Sequence, residues 1–181
     1  MQLDLKQVFQ QESMQMPIAA EFDFSAEEIY GAYPFTRPVH AEGVVENQSA
    51  VVRLRYRAIV EYKRECDRCL DEATAEYVYE FEHILAAVEE RKGSASSESE
   101  LLLEDRSDEL VFVPDFRLDF EELVREDIVL EVPTRFLCRQ ECKGLCPKCG
   151  CNLNHSQCDC DLSEPDPRLA ALRDLLSGAD E

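Results

Sequence analysis

Glycine is scarce in this chain: six residues in 181, dispersed. No glycine-rich loop that could cradle a phosphate can be drawn from them. Histidine is scarcer still, with His40, His83 and His155 in unlike contexts, and no G-x-S-x-G nucleophile motif occurs. Basic residues fall short as well. The 19 Lys and Arg face 39 Asp and Glu, a net charge of −20. That balance is a poor match for wrapping nucleic-acid phosphate, which rewards cations through counterion release. No apolar run approaches the roughly 18 residues of a membrane span. Met1-Gln2-Leu3-Asp4-Leu5-Lys6 shows no basic stretch leading into an apolar core, so a secretory signal is not expected and a cytoplasmic protein is. Paired carboxylates are uninformative in so acidic a chain. No catalytic constellation competes, and the expectation is a protein that is not an enzyme.

What the chain does hold is enough apolar material for a core, since 45% of its residues are hydrophobic and 9 Phe join 6 Tyr. The stretch from Val39 to about Leu85 reads as β structure. Val52, Leu54, Tyr56, Ala58, Val60 and Tyr62 share one parity while Arg53, Arg55 and Arg57 share the other, the period of two that a half-buried strand requires. A turn is expected at Glu46-Asn47-Gln48-Ser49, after an earlier strand at about Val39–Val45. Beyond Cys69 the alternation resumes, with Ala75, Tyr77, Tyr79 and Phe81 opposite Glu76, Glu80 and Glu82. The simplest arrangement is an antiparallel meander with Cys66-Asp67-Arg68-Cys69 at the tip of its second hairpin.

Arg91 to Glu100 is small, polar and charged, and reads as a flexible loop. Leu110–Val113 is a candidate short strand. Asp119 with Glu122 three residues on forms the pattern of a capping box, and Phe120, Leu123, Val124 and Ile128 give an amphipathic helix to about Leu130, stopped by Pro133. A second helix is expected after Asp166, ending before Gly178. Ser25–Ile29 resembles a helix start; the rest of the first 38 residues is hard to read. The expected fold is α+β, divided into an antiparallel-sheet domain at 1–137 and a Cys-rich segment with a C-terminal helix at 138–181.

Nine cysteines are present, and seven fall between Cys138 and Cys160. An odd count without a secretory signal argues against a disulfide scaffold and for metal ligation. Cys146-Pro147-Lys148-Cys149-Gly150 has a C-x2-C turn followed by a glycine where the backbone must bend sharply. One partition sets Cys146, Cys149, Cys158 and Cys160 as one zinc site, sets Cys66, Cys69, Cys138 and Cys142 as another, and leaves Cys151 over. A single site, with Cys138 or Cys142 replacing a member or with His155 as a nitrogen ligand, stays open. So the expected cofactor is zinc, one ion or two. A thioredoxin-type pair should open a helix after a strand, whereas Cys66 and Cys69 lie between strands. The ferredoxin spacing of an iron–sulfur site is missing. Four thiolates leave zinc no open position, so its role would be structural.

Arg53, Arg55 and Arg57, projecting at about 6.6 Å intervals along one face and leading to Arg68, are candidates for RNA contact. Their other reading is a solvated face paired with Glu76, Glu80 and Glu82. Residues 98–127, with twelve acids against three arginines, could hold a basic partner. A thiol-redox protein and a protein-binding adaptor are the competing classes.

Cys66-Asp67-Arg68-Cys69-Leu70 resembles the C-x-R-C motif of the YceD-like proteins, the large ribosomal RNA subunit accumulation proteins. Cys142-Lys143-Gly144-Leu145-Cys146-Pro147-Lys148-Cys149-Gly150 with Asn152-Leu153-Asn154 is similar to the C-terminal signature of many members. The resemblance implies a non-enzymatic cytoplasmic factor that supports large-subunit ribosomal RNA levels and ribosome biogenesis. It implies as partners a precursor of that RNA, a basic ribosomal protein or an assembly factor. Some members lack the C-terminal cluster, which points to the Cys66–Cys69 hairpin as the shared surface.

Overall fold

A computed structural model describes residues 1–29, 31–88 and 110–160. The chain forms two compact units. The first comprises Met1–Arg64 with Thr74–Thr134, and the second Glu65–Ala73 with the residues from Arg135 onward. The division expected from sequence lay at residue 137; here the second unit begins at Arg135 and also takes the Cys66–Cys69 hairpin tip.

Seven strands and two helices are described. They run β1 (Gln2–Asp4), α1 (Lys6–Gln10), β2 (Gln15–Phe22), β3 (Val39–Gln48), β4 (Val51–Glu65), β5 (Glu72–Val88), β6 (Leu110–Pro114), β7 (Arg117–Asp119) and α2 (Phe120–Glu131). The main sheet has the order β2-β3-β4-β5-β6, and β1 pairs with β7 in a small second one. Among the described residues the fold is mostly strand with two helices, consistent with α+β. β2, β3 and β4 are antiparallel neighbours, as the meander requires. β6 departs from it: Leu110–Pro114 runs parallel to Ile84–Val88. A parallel return needs a crossover connection, and short-range alternation carries no signal for one. The expected loop at residues 91–100 and the expected helix at 166–178 lie outside the described residues.

The β3–β4 turn falls later than expected. β3 runs through Gln48, paired with Val51, so the connection is Ser49-Ala50 alone. Both residues have positive φ, 53° and 64°. That is the left-handed backbone of a two-residue hairpin, favoured because its twist matches that of the strands. Glu46 and Asn47, which read as turn residues, are instead buried in β3. Asn47 spends its side-chain amide on the Val8 carbonyl at 2.8 Å. Replacing Ser49-Ala50 by Asn-Gly should stabilise the protein by about 1 kcal/mol, because those residues tolerate left-handed backbone. An unchanged midpoint in urea unfolding would count against this turn.

The N-terminal segment, opaque in sequence, supplies much of the core. Ile18, Phe22, Phe24 and Phe35 are buried, and Phe22 meets Phe120 edge-on with ring centroids 5.7 Å apart. β2 carries no clear strand signal in sequence because Pro17 sits inside it, and proline is tolerated there because β2 is an edge strand among the described residues. No helix begins at Ser25. Asp23 Oδ1 accepts from the Ser25 amide, and the Glu27 amide donates to the Phe24 carbonyl, which close turns instead.

α2 forms as its sequence dictates. Asp119 accepts from the Glu122 amide as N-cap, and Phe120, Leu123, Val124 and Ile128 are the buried stripe. One ionic clasp fixes it to the sheet: Asp127 accepts from the Tyr56 hydroxyl and lies 2.7 Å from His83 Nε2. Burial and the Asp127 carboxylate push the Tyr56 phenol up, so it remains a donor.

Candidate metal centres

Among its described residues, the second unit is short of ordinary core. Its buried apolar side chains, among the described residues, are Phe136 and four cysteines: Cys66, Cys69, Cys142 and Cys146. Cys66, Cys69 and Cys142 cluster together, with Leu137 packed against them.

Two groups of four cysteines form. Cys66, Cys69, Cys138 and Cys142 bring their sulfurs within 4.8 Å of one another, and so do Cys146, Cys149, Cys158 and Cys160. This is the four-and-four partition drawn from spacing. Cys66 and Cys142 sulfurs are 3.7 Å apart, and those of Cys69 and Cys138 are 3.6 Å apart. A disulfide requires about 2.05 Å, and all nine cysteines are free. A tetrahedron with metal–sulfur bonds of about 2.3 Å has edges of about 3.8 Å. The donor set therefore fits a four-coordinate thiophilic ion. His155 belongs to neither group; its Nε2 lies 3.0 Å from Asp71 Oδ2.

The two C-x2-C turns are built alike. The Leu70 amide donates to the Cys66 carbonyl at 2.9 Å, as the Gly150 amide does to the Cys146 carbonyl at 2.8 Å. Cys66 N donates to Asp71 O, and Cys146 N to Cys151 O, at 2.9 and 2.8 Å. Gly150 has φ +73°, the bend its position implied. Leu70 takes the equivalent place at +61° despite its side chain, which stands 58% exposed.

Backbone amides point at the leading sulfur of each turn. Burial alone would push the Cys66 thiol up, but amides of Cys138, Arg68 and Cys69 donate to it and hold it down at about 6. Amides of Cys149 and Lys148 lower Cys146 to about 6. Their partners go the other way: burial pushes Cys69 up to about 12, and a contact with Cys149 raises Cys160 to about 12. The first group thus sets the lowered Cys66 and Cys142 thiols, the latter held down by the Asn154 amide, beside the raised Cys69 and Cys138, and the second sets a lowered Cys146 beside a raised Cys160. Cys151, the cysteine left over, sits beside Cys149, whose contact raises it to about 11.

Polar side chains outside the groups hold the loops in place. Arg68 Nη1 donates to the Cys142 carbonyl at 2.8 Å, which commits part of its guanidinium to the turn. Asp67 Oδ2 accepts from the Phe136 amide at 2.6 Å. Asn154 carries the most: its Nδ2 donates to Cys142 Sγ at 3.3 Å and its Oδ1 accepts from the Lys143 amide at 2.9 Å. Asn152 joins Asp71 at 2.9 Å. Sequence reasoning assigned these asparagines only to a loop, because nothing in their spacing shows which sulfur they would reach.

The other candidates lie in the first unit. Arg53, Arg55 and Arg57 share the outward face of β4, as expected. Their partners, however, come mainly from β3, because Glu46 is the register partner of Arg53 and Glu42 that of Arg57. Arg57 Nε donates to Glu42 at 2.6 Å, Arg55 pairs with Glu46, and Arg53 lies 3.8 Å from Glu82.

Residues 54–176 match a family described as Large ribosomal RNA subunit accumulation protein YceD. A chloroplastic protein of Arabidopsis thaliana, named as a YCED homolog of that description, is 38% identical over 72 residues, 39% of this chain and 22% of the relative. An uncharacterized protein of Mycobacterium bovis is 31% identical over 119 residues, 62% of this chain and 49% of the relative. An uncharacterized protein of Bacillus subtilis is 36% identical over 75 residues, 41% and 44% of the two chains. The matches thus span half or less of each relative's own length. No solved structure matches.

Proposed function

Since the chain belongs to the YceD family of large ribosomal RNA subunit accumulation proteins, we propose that it is a cytoplasmic, non-enzymatic factor in large-subunit ribosomal RNA accumulation, shaped by two structural zinc ions. The observation that carries the zinc is the second unit itself. Among its described residues, two complete tetrathiolate sets stand where an aliphatic core would normally be. A segment this poor in apolar burial gains its folding free energy from the metal. Four thiolates close the coordination sphere, so the ions supply shape and no activated water. Cys66, Cys69, Cys138 and Cys142 hold one ion, and Cys146, Cys149, Cys158 and Cys160 the other.

The partner is a precursor of that RNA or a basic protein of the same assembly. Charge favours the protein: the chain carries −20, and the basic stripe is engaged by glutamates. RNA contact through Arg53, Arg55, Arg57 and Arg68 would require phosphate to displace Glu82, Glu46 and Glu42. The function is tested by depletion from cells, followed by ribosomal RNA quantification and sucrose-gradient profiles. A deficit confined to the large subunit is expected; normal large-subunit levels would reject the assignment and leave an adaptor unrelated to ribosomes.

A further inference from the structure

β5 is far longer than the strand beside its outer edge. β6 covers only Ile84–Val88, and among the described residues no strand lies along Thr74–His83 on that side. An open edge presents a row of backbone donors and acceptors, a template for another chain. Proteins usually blunt such edges with charged side chains, lysine above all, with proline or with bulges, so the glutamates here turn away any strand that does not answer their charge. Thr74–His83 contains neither lysine nor proline. What it offers outward is Glu76, Val78, Glu80 and Glu82, all exposed, with Val78 at 56%. Glu82 shares its carboxylate with Arg53 at 3.8 Å.

We propose that this edge receives an extended, lysine- or arginine-rich segment of a protein partner as an added strand. Its basic side chains, at alternate positions, face Glu76, Glu80 and Glu82, and a small or apolar residue sits beside Val78. The glutamates select the occupant. A second copy of this chain would set glutamate against glutamate, which destabilises directly opposed strand pairs. The chain's own undescribed segments are acidic too: residues 89–109 hold eight acids against three basic residues, and 161–181 hold six against two. RNA would bring phosphate to the same carboxylates. A basic extended peptide satisfies both the backbone ladder and the charges, as in recognition by strand addition. In register, two basic groups about 6.6 Å apart meet Glu80 and Glu82, and a third lies about 13 Å from Glu80 beside Glu76. This deepens the proposed function, and rests on it only for the partner's source.

The test uses the full zinc-loaded chain and a synthetic Lys-Thr alternating peptide, with valine in place of the lysine beside Val78, long enough to span Thr74–His83. Expected are saturable binding by fluorescence anisotropy and slowed hydrogen exchange on the amides of Thr74–His83. Glu76→Lys with Glu80→Lys should weaken binding about tenfold or more. The same peptide N-methylated on alternate amides keeps its charge and should not bind. Equal binding of the methylated peptide would reduce the effect to charge attraction and overturn the proposal. Exchange protection elsewhere would also overturn it, as would an RNA oligonucleotide, and not the peptide, protecting this edge. A wild-type dimer abolished by the double variant would give the edge to a second copy and reject it too. Failure here with a large-subunit deficit on depletion rejects the edge and spares the family function; peptide binding with normal subunits does the reverse.

Discussion

Cys66→Ser is expected to lower bound zinc from two equivalents to one and to leave Cys146, Cys149, Cys158 and Cys160 loaded. Only the first group contains Cys66, and three thiolates cannot close its tetrahedron. Cys146→Ser should do more damage than its symmetric position suggests. The turn from Cys146 leads directly to Asn152 and Asn154, and Asn154 donates to Cys142 of the first group. Loosening that turn withdraws a hydrogen bond from the other centre, so the remaining equivalent should be lost faster to a mild chelator. Losing polar partners of metal ligands typically costs about 10- to 100-fold in affinity. Full removal of metal should unfold the second unit, since binding free energies of structural zinc run at about 10–16 kcal/mol. Released zinc and alkylation followed by mass spectrometry provide the readouts. In loaded wild-type protein Cys151 should be the one thiol modified under native conditions. Nine thiols reacting alike would reject both centres, and full zinc retention in Cys66→Ser would reject the partition.

The second large effect is expected in the sheet unit. Asp127→Ala should cost about 1–3 kcal/mol, the range for leaving a buried polar group without its partner. The loss strands the Tyr56 hydroxyl and the His83 ring together, both of which face that carboxylate. Tyr56 is buried against Phe120, with ring centroids 5.2 Å apart, so water cannot readily replace the lost acceptor. Tyr56→Phe combined with Asp127→Ala should cost less than the sum of the two, because the orphaned hydroxyl is gone. A double-mutant cycle in urea checks this; strict additivity would mean that Asp127 acts through something other than Tyr56.

The features legible in sequence are those whose signal is local. Alternation in β4 marked Tyr56 and Tyr62 for the core, and the 3.6-residue stripe marked Phe120, Leu123, Val124 and Ile128. Both patterns repeat within a few residues, and both are buried as marked. The C-x2-C turns belong here too, because such a turn builds its own sulfur-directed amides wherever it stands, whereas the partition stays open in sequence because it depends on which distant half-sites the fold brings together. What is not legible in sequence depends on register or distance. That Arg57 would meet Glu42, and not a glutamate of β5, follows from the β3–β4 pairing, which no spacing within β4 encodes. Glu46 and Asn47 looked like turn residues because their burial is licensed by distant partners, Arg55 and the Val8 carbonyl. The parallel β6 lies across 21 intervening residues, 89–109, and the N-terminal core residues lie within a proline-containing edge strand, as Ile18 and Phe22 do, or after it, as Phe24 and Phe35 do.

The two cysteine groups differ in how far the chain must travel to complete them. Cys146 through Cys160 are near neighbours in sequence and can capture an ion as soon as that stretch leaves the ribosome's exit tunnel. Cys66 and Cys142 are 76 positions apart, so the other group closes only after a large loop has been brought together, at a chain-entropy cost that grows with separation. Metal uptake should therefore be biphasic during refolding: a fast phase independent of sheet formation, then a slow one paced by it. The late ion would report that the hairpin between β4 and β5 is in place.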